Sequence, residues 1–300
     1  MAALAKLDGR VLVVGDVMED IIVLPEAAMV RGSDVRAKVR NMPGGSGANQ
    51  AMWLGSMHVP VSFLARVGAG DVESFRARFV ESGVTPLLVG DDELPTGRLV
   101  TLVDVDGERS FFTDRAANTR LAVSDCPEEI LEGVGLVHFS GYAFFEPGPR
   151  SVALELMERA RRADIPVSID PASTGFLREV GARQFLDWTR GASFCFPNAE
   201  EAAFLSGVDD VENQIRVLGA HYDLVVIKRG AEGAVAGDAR GIRCEVGAVR
   251  IDVVDTTGAG DAFLAGFVAE MAKGSELEQC LVQANAAGAR AAAHMGGQPE

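Results

Sequence analysis

Several short stretches of this chain are almost wholly apolar: VLVVG (11–15), LVHFSG (136–141), IPVSID (165–170), SFCF (193–196) and DLVVIK (223–228). A strand with one wet face alternates apolar and polar residues, whereas a strand covered on both faces need not. These runs therefore predict parallel strands buried between two layers of helices. The intervening stretches suit that role. Residues 150–164 (RSVALELMERARRAD) gather Val152, Leu154, Leu156 and Met157 with charges on the other side, and EEAAFLSG (200–207) ends on a glycine stop. Strand and helix in alternation predict an α/β fold, a doubly wound and mostly parallel sheet flanked by helices.

Two regions read differently. Residues 16–41 and 96–114 alternate more strictly and are more polar, as in TGRLVTLVDVDGERSFFTD with a turn signal at Asp106–Gly107. They predict hairpins outside the main sheet, a small antiparallel β lid on one unit that spans 1–300. The 48% hydrophobic content is ample for a large core. No apolar run approaches the roughly 18 residues of a membrane span, and Val11–Val14 is too short for a signal-peptide core. The expectation is a cytoplasmic protein with no membrane partner. Cys126, Cys195, Cys244 and Cys280 are scattered without metal or disulfide spacing. The histidines form no cluster, and His138, within an apolar strand pattern, reads as a satisfied core histidine. A net charge of −15 argues against a nucleic-acid partner. It also requires that any anionic ligand be met by local dipoles or a metal ion.

The most informative stretch is DTTGAGDAF (255–263). Before it, Val249, Ile251 and Val253 alternate as in a strand. After it, Phe263, Leu264, Phe267, Val268 and Met271 recur at helical spacing. Thr256–Gly260 is then a turn and Asp261 opens a helix. The backbone N–H groups of Gly258, Ala259 and Gly260 would lack helical partners and point, with the helix dipole, at an incoming anion. Asp261 beside such a hole can take a proton from an alcohol, which suits phosphoryl transfer to a hydroxyl. Alone, the same aspartate could simply cap the helix.

Other stretches add to it. PGGSGANQA (43–51) is a second glycine-rich run before a helix, with Asn49 able to bond hydroxyls. In GDVMED (15–20), Asp16 and Asp20 follow the first strand, at the edge where open α/β sheets bind ligands. Paired carboxylates there suit polyol hydroxyls, or a solvated turn. In PNAEEA (197–202), Asn198 and Glu201 share one helix face; they could hold a hydrated Mg²⁺ or cap the helix. KRGAEGA (228–234) offers Lys228, Gly230 and Gly233 for a nucleotide-phosphate turn.

In this order the motifs resemble the ribokinase-like, or PfkB, carbohydrate kinase family, over nearly the whole chain. The resemblance implies ATP as phosphoryl donor, Asp261 as general base, and Gly258, Ala259 and Gly260 as the anion hole. It implies that Asn198 and Glu201 govern Mg²⁺ and phosphate. Lys228, Gly230, Gly233 and Asn285 fall where the family binds nucleotide. Asp20, Gly44, Gly45 and Asn49 fall on sugar contacts, and the AANTRL run (116–121) adds Asn118. Asp255 and the Thr257 carbonyl match a monovalent-cation site of several members, for K⁺. In many members the lids pair two subunits, so a homodimer is implied. Departures bear on substrate. Ribokinases carry an asparagine where this chain has Met18 and a lysine where it has Ser46, and a glutamate expected after LVHF is replaced by SGYAFF. Fewer polar contacts suggest another sugar or a nucleoside. A pentose, ketohexose or sugar-acid kinase is the first expectation, a nucleoside kinase the second, and a non-catalytic sensor the third. A dinucleotide-binding dehydrogenase fits poorly, because GDVMED is not GxGxxG.

Overall fold

The computed structural model describes residues 6–103 and 109–299, so the Asp106–Gly107 turn lies outside the described residues. In chain order the strands are β1 (Arg10–Val14), β2 (Met18–Pro25), β3 (Ala37–Gly44), β4 (Val61–Gly68), β5 (Val84–Asp91), β6 (Gly97–Val103), β7 (Arg109–Asp114), β8 (Val134–Ser140), β9 (Val167–Asp170), β10 (Phe194–Cys195), β11 (Leu224–Lys228), β12 (Ala234–Asp238) and β13 (Gly241–Val246). A nine-stranded sheet runs β13-β12-β11-β10-β9-β8-β1-β4-β5. Pairing is parallel from β11 to β5, and β12 and β13 finish one edge antiparallel.

Both faces of this sheet are covered, which is why its strands need no polar face. Along β1, Val11 and Val13 join one core with helices Ser46–Ser56, Ala259–Lys273 and Leu277–Ala292. Leu12 and Val14 join the other, with helix Pro147–Arg162. In that helix Val152, Leu156 and Met157 are buried, while Leu154 turns outward. Fully buried side chains such as Phe63, Phe139, Phe267 and Leu156 each stabilise the fold by about 1.5–3 kcal/mol.

A second sheet, β3-β2-β6-β7, is built from residues 18–25, 37–44, 97–103 and 109–114. Two antiparallel pairs, β2 with β3 and β6 with β7, are joined by one parallel pairing of β2 with β6. Its outer residues Val39, Phe111 and Phe112 are exposed. Among the described residues no helix is long and apolar enough to cross a membrane.

The expected strand over 249–254 does not form. β13 is already the edge of the sheet, and the chain leaves it there. The N–H groups of Val254 and Asp255 bond the Ala292 carbonyl instead. The alternation of Val249, Ile251 and Val253 has another cause: all three line a cavity.

Strand order reverses around β1 and β8: the chain adds β4 and β5 on one side, then β9, β10 and β11 on the other. Ligands bind open sheets at such a switch point, beyond the carboxyl ends of the strands. Asp16 follows β1, Asp170 ends β9, Asn198 follows β10 and Lys228 ends β11.

Candidate active site

The helix that carries Asp261 starts earlier than its sequence suggests. It begins at Ala259, with Gly258 as N-cap in the left-handed region at φ 73°. A side chain on Gly258 would meet the backbone of Gly297 within 2.4 Å, so the turn is open only to glycine. The first bond of the helix runs from Ala262 N–H to the Gly258 carbonyl, 2.9 Å. Gly260 and Asp261 precede it, and their N–H groups have no i−4 partner within the helix. Ala259 differs from expectation: its N–H donates to the Thr256 carbonyl at 3.2 Å and closes the turn.

Asp261 is tied to the other glycine-rich helix start. Ser46 Oγ donates to Oδ1 at 2.7 Å and Asn49 Nδ2 donates to Oδ2 at 3.0 Å. Burial, with Asp170 nearby, pushes its carboxyl up to about 7, although Ser46, Asn49 and Lys228 pull the other way. A hydrogen-bonded chain supports this pair from behind. Gln50 Nε2 donates to Ser46 Oγ at 3.1 Å, so Gln50 Oε1 accepts from His138 Nε2 at 3.0 Å. His138 Nδ1 then accepts from Ser168 Oγ at 2.7 Å. Burial drives the His138 pKa down to about 3, so the ring is neutral and orients its neighbours, as a core histidine.

The helix Ser46–Ser56 is placed by Gly45, whose φ of 95° and contact with the Asp16 carbonyl exclude a side chain. Asp16 Oδ1 accepts from Gly47 N–H at 3.1 Å. Asp20 lies against Gly44, and its buried Oδ1 has no hydrogen-bond partner. Burial, then Asp16 and Asp255, push its carboxyl up to about 7. Asn118 stands one step back: its amide accepts from Val17 N–H at 2.9 Å and donates to the Val17 carbonyl at 2.8 Å. It holds the β1–β2 junction through these two bonds.

Lys228 Nζ bonds Asp170 Oδ2 at 2.7 Å. Burial alone would lower its pKa, but Asp170 and Glu201 outweigh burial and raise it, so it stays charged. Asn198 and Glu201 form the capping box of helix Ala199–Ser206: Asn198 Oδ1 accepts from Glu201 N–H at 2.9 Å and Glu201 Oε2 accepts from Asn198 N–H at 2.8 Å. Glu201 is also buried beside Lys228 and Asp170, and burial raises its carboxyl to about 7. Asp255 braces its own loop: Oδ1 accepts from Thr257 N–H and Oγ1, and Oδ2 from Gly296 N–H. Asn285 Nδ2 holds the Gly247 carbonyl at 3.1 Å.

These residues surround two cavities. The first, about 430 Å³, is lined by Asp16, Asp20, Asn49, Glu201 and Asp261, among others. The second, about 480 Å³, lies between the 249–253 segment and Asn285, with Gly233 and Ala259 in its wall. Lys228, Gly230 and Gly260 line both. Asp170, Arg115 and Tyr142 also line the first cavity and were not singled out from sequence. Asp170 carried a readable signal, since it ends an apolar run as Asp16 does. Arg115 and Tyr142 carried none, because only the packing of the second sheet against the short helix Tyr142–Phe145 brings them there.

Comparison with known proteins identifies the family. Residues 8–300 match the family model described as pfkB family carbohydrate kinase. An ATP-dependent ribose-1-phosphate kinase of Halopiger xanaduensis is 30% identical over 96% of this chain and 93% of its own. An aminoimidazole riboside kinase of Salmonella typhimurium is 29% identical over 95% and 90%. In structure, the adenosine kinase of Sinorhizobium meliloti superposes with a TM-score of 0.86 over 97% of this chain and 96% of its own, at 24% identity. The chain therefore belongs to the pfkB family of carbohydrate kinases and is an ATP-dependent sugar or nucleoside kinase with the ribokinase-like fold.

Proposed function

We propose that the chain transfers the terminal phosphoryl group of ATP to a hydroxyl of a sugar held in the first cavity. The observation that carries this reading is the sharing of Lys228, Gly230 and Gly260 by two cavities of different character. One is rich in carboxylates; the other is walled by Val249, Ile251, Val253, Phe263 and the alanines of helix Leu277–Ala292. The second suits a nucleotide base and ribose, the first a polyol, and the phosphates lie between. Asp261 takes the acceptor proton. Gly258 and Gly260, which line the first cavity, receive the transferred group, and Lys228 neutralises it.

Glu201 and Asp170 offer carboxylate oxygens beside the shared wall, a donor set that fits a largely hydrated Mg²⁺. When bound, the ion would draw charge from the ATP phosphates. Potassium at Asp255 and the Thr257 carbonyl would brace the loop that carries Gly258; a potassium titration tests this. The exposed Val39, Phe111 and Phe112 support a homodimer through the lid sheet, which sedimentation of a Phe112→Asp variant tests. Use of ATP and four free cysteines support a cytoplasmic setting.

The second reading, a nucleoside acceptor, is supported by Met18, Leu99 and Tyr142, apolar surfaces in the first cavity against which a base could stack. The relative from Halopiger is named for ribose 1-phosphate, which keeps a phosphorylated pentose in view. A coupled ADP-release assay with ATP and Mg²⁺ decides. Its acceptors are ribose, ribose 1-phosphate, fructose, 2-keto-3-deoxygluconate, adenosine and cytidine, with Asp261→Asn as control. Turnover of a sugar by the wild type alone supports the first reading; turnover of nucleosides only overturns it in favour of the second.

A further inference from the structure

Arg115 lines the first cavity, yet only 8% of it is exposed. Its guanidinium lies over the Tyr142 ring, 4.6 Å from the centroid. A guanidinium presents five N–H donors in a rigid plane. Here Nη2 donates to the Tyr142 carbonyl at 3.4 Å, and Nε is buried without a hydrogen-bond partner. Asp16 Oδ2 forms a loose buried ion pair with Nη1 at 3.9 Å, too long for a hydrogen bond. Its other oxygen is anchored to Gly47 N–H. A buried cation with so few acceptors is costly unless something else supplies them. The other cation of this cavity, Lys228, is already engaged by Asp170.

The same cavity is lined by the uncharged Met18, Leu99, Thr113 and Tyr142 and by Asp16, the one carboxylate paired with Arg115. The carboxylates Asp16 and Asp20 share the cavity and would repel an anionic substrate if no cation offset them. An acidic group on the acceptor would give Arg115 the oxygens it lacks, and a planar fork is matched to two of them at once.

We propose that Arg115 is the specificity-determining residue of this kinase and selects an acceptor that carries an anionic group, a phosphate ester or a carboxylate. The assignment rests on the kinase reading above and narrows its substrate class to acidic sugars.

The test compares kcat/KM for matched acceptors at saturating ATP and Mg²⁺: ribose 1-phosphate against ribose, and 2-keto-3-deoxygluconate against fructose. Wild type, Arg115→Gln and Arg115→Lys are measured at one ionic strength. The wild type should favour one acidic acceptor over its neutral counterpart by about 100-fold or more, and which pair shows it tells ester from carboxylate. Arg115→Gln should collapse that ratio by about 100-fold, mainly through KM. Arg115→Lys, which keeps the charge and loses the fork, should give an intermediate ratio; it carries the test if the glutamine variant does not fold. A wild type that turns over a neutral sugar or a nucleoside better than either acidic acceptor overturns the proposal and leaves the kinase reading standing. So does an acid-to-neutral ratio that survives both substitutions. Silence with every acceptor, nucleosides included, overturns both together.

Discussion

Ser46 Oγ lies 2.7 Å from Oδ1 of Asp261, joining two glycine-rich helix starts that are 215 positions apart in the chain. The contact fixes the orientation of the carboxylate while leaving it inside a cavity where burial holds its pKa high. Replacement of Asp261 by asparagine keeps the shape and removes the base. It should lower kcat by about two to four orders of magnitude with little change in nucleotide affinity. Near-normal turnover would remove Asp261 from that role.

The pH dependence follows from the same carboxyl. Its folded pKa is raised to about 7, and a base acts only when ionised. Activity should therefore fall below about pH 7, approaching tenfold per pH unit. Ser46 pulls this pKa down, so Ser46→Ala should move the acidic limb to higher pH. A limb that stays near the ordinary aspartate range of about 4 in the wild type would contradict the assignment.

Glu201→Gln separates structure from metal. The glutamine retains an oxygen to accept from Asn198 N–H, so the capping box and the fold should persist. The charge offered to Mg²⁺ is lost. The Mg²⁺ concentration for half-maximal activity should rise about tenfold or more, while the unfolding midpoint moves little. An unaltered Mg²⁺ titration would refute the role.

Asp20 should carry a stability signature. Its carboxyl is raised from 3.8 to about 7 in the folded protein, so the folded state holds the proton more tightly than the unfolded chain. Stability from protonated Asp20 is present at low pH and is lost as pH rises from about 4 through about 7. Asp20→Asn is neutral throughout. It should stabilise the fold near pH 8, by up to about 4 kcal/mol and with a higher melting temperature, and do little near pH 3. A variant equally affected at both values would show that Asp20 is not destabilised by its charge.

Apolar runs covered on both faces, the hairpin regions and the glycine-rich turns were legible in the chain, because each is a local consequence of backbone geometry and of which side of an element meets water. Local order read that way placed β1, β8, β9, β10 and β11 within a residue or two, and it put Asp16, Lys228 and Asn198 at the carboxyl edge of the sheet. The motif resemblance implied Asp261 as a base and Asn49 as a sugar contact; that the two are hydrogen-bonded was decided by the fold. Period-two alternation over 249–253 misled, because a pattern of apolar residues reports burial on one side and does not say whether a neighbouring strand or a cavity provides it. Tertiary structure alone decided the rest. It turned the Ala259 N–H into the turn and set Asn118 against Val17. It paired Lys228 with Asp170, and it brought Arg115, just after β7, over Tyr142, which opens the short helix Tyr142–Phe145 beyond β8. Such contacts join residues far apart in sequence, so they depend on how strands order and sheets pack, and no local pattern encodes them.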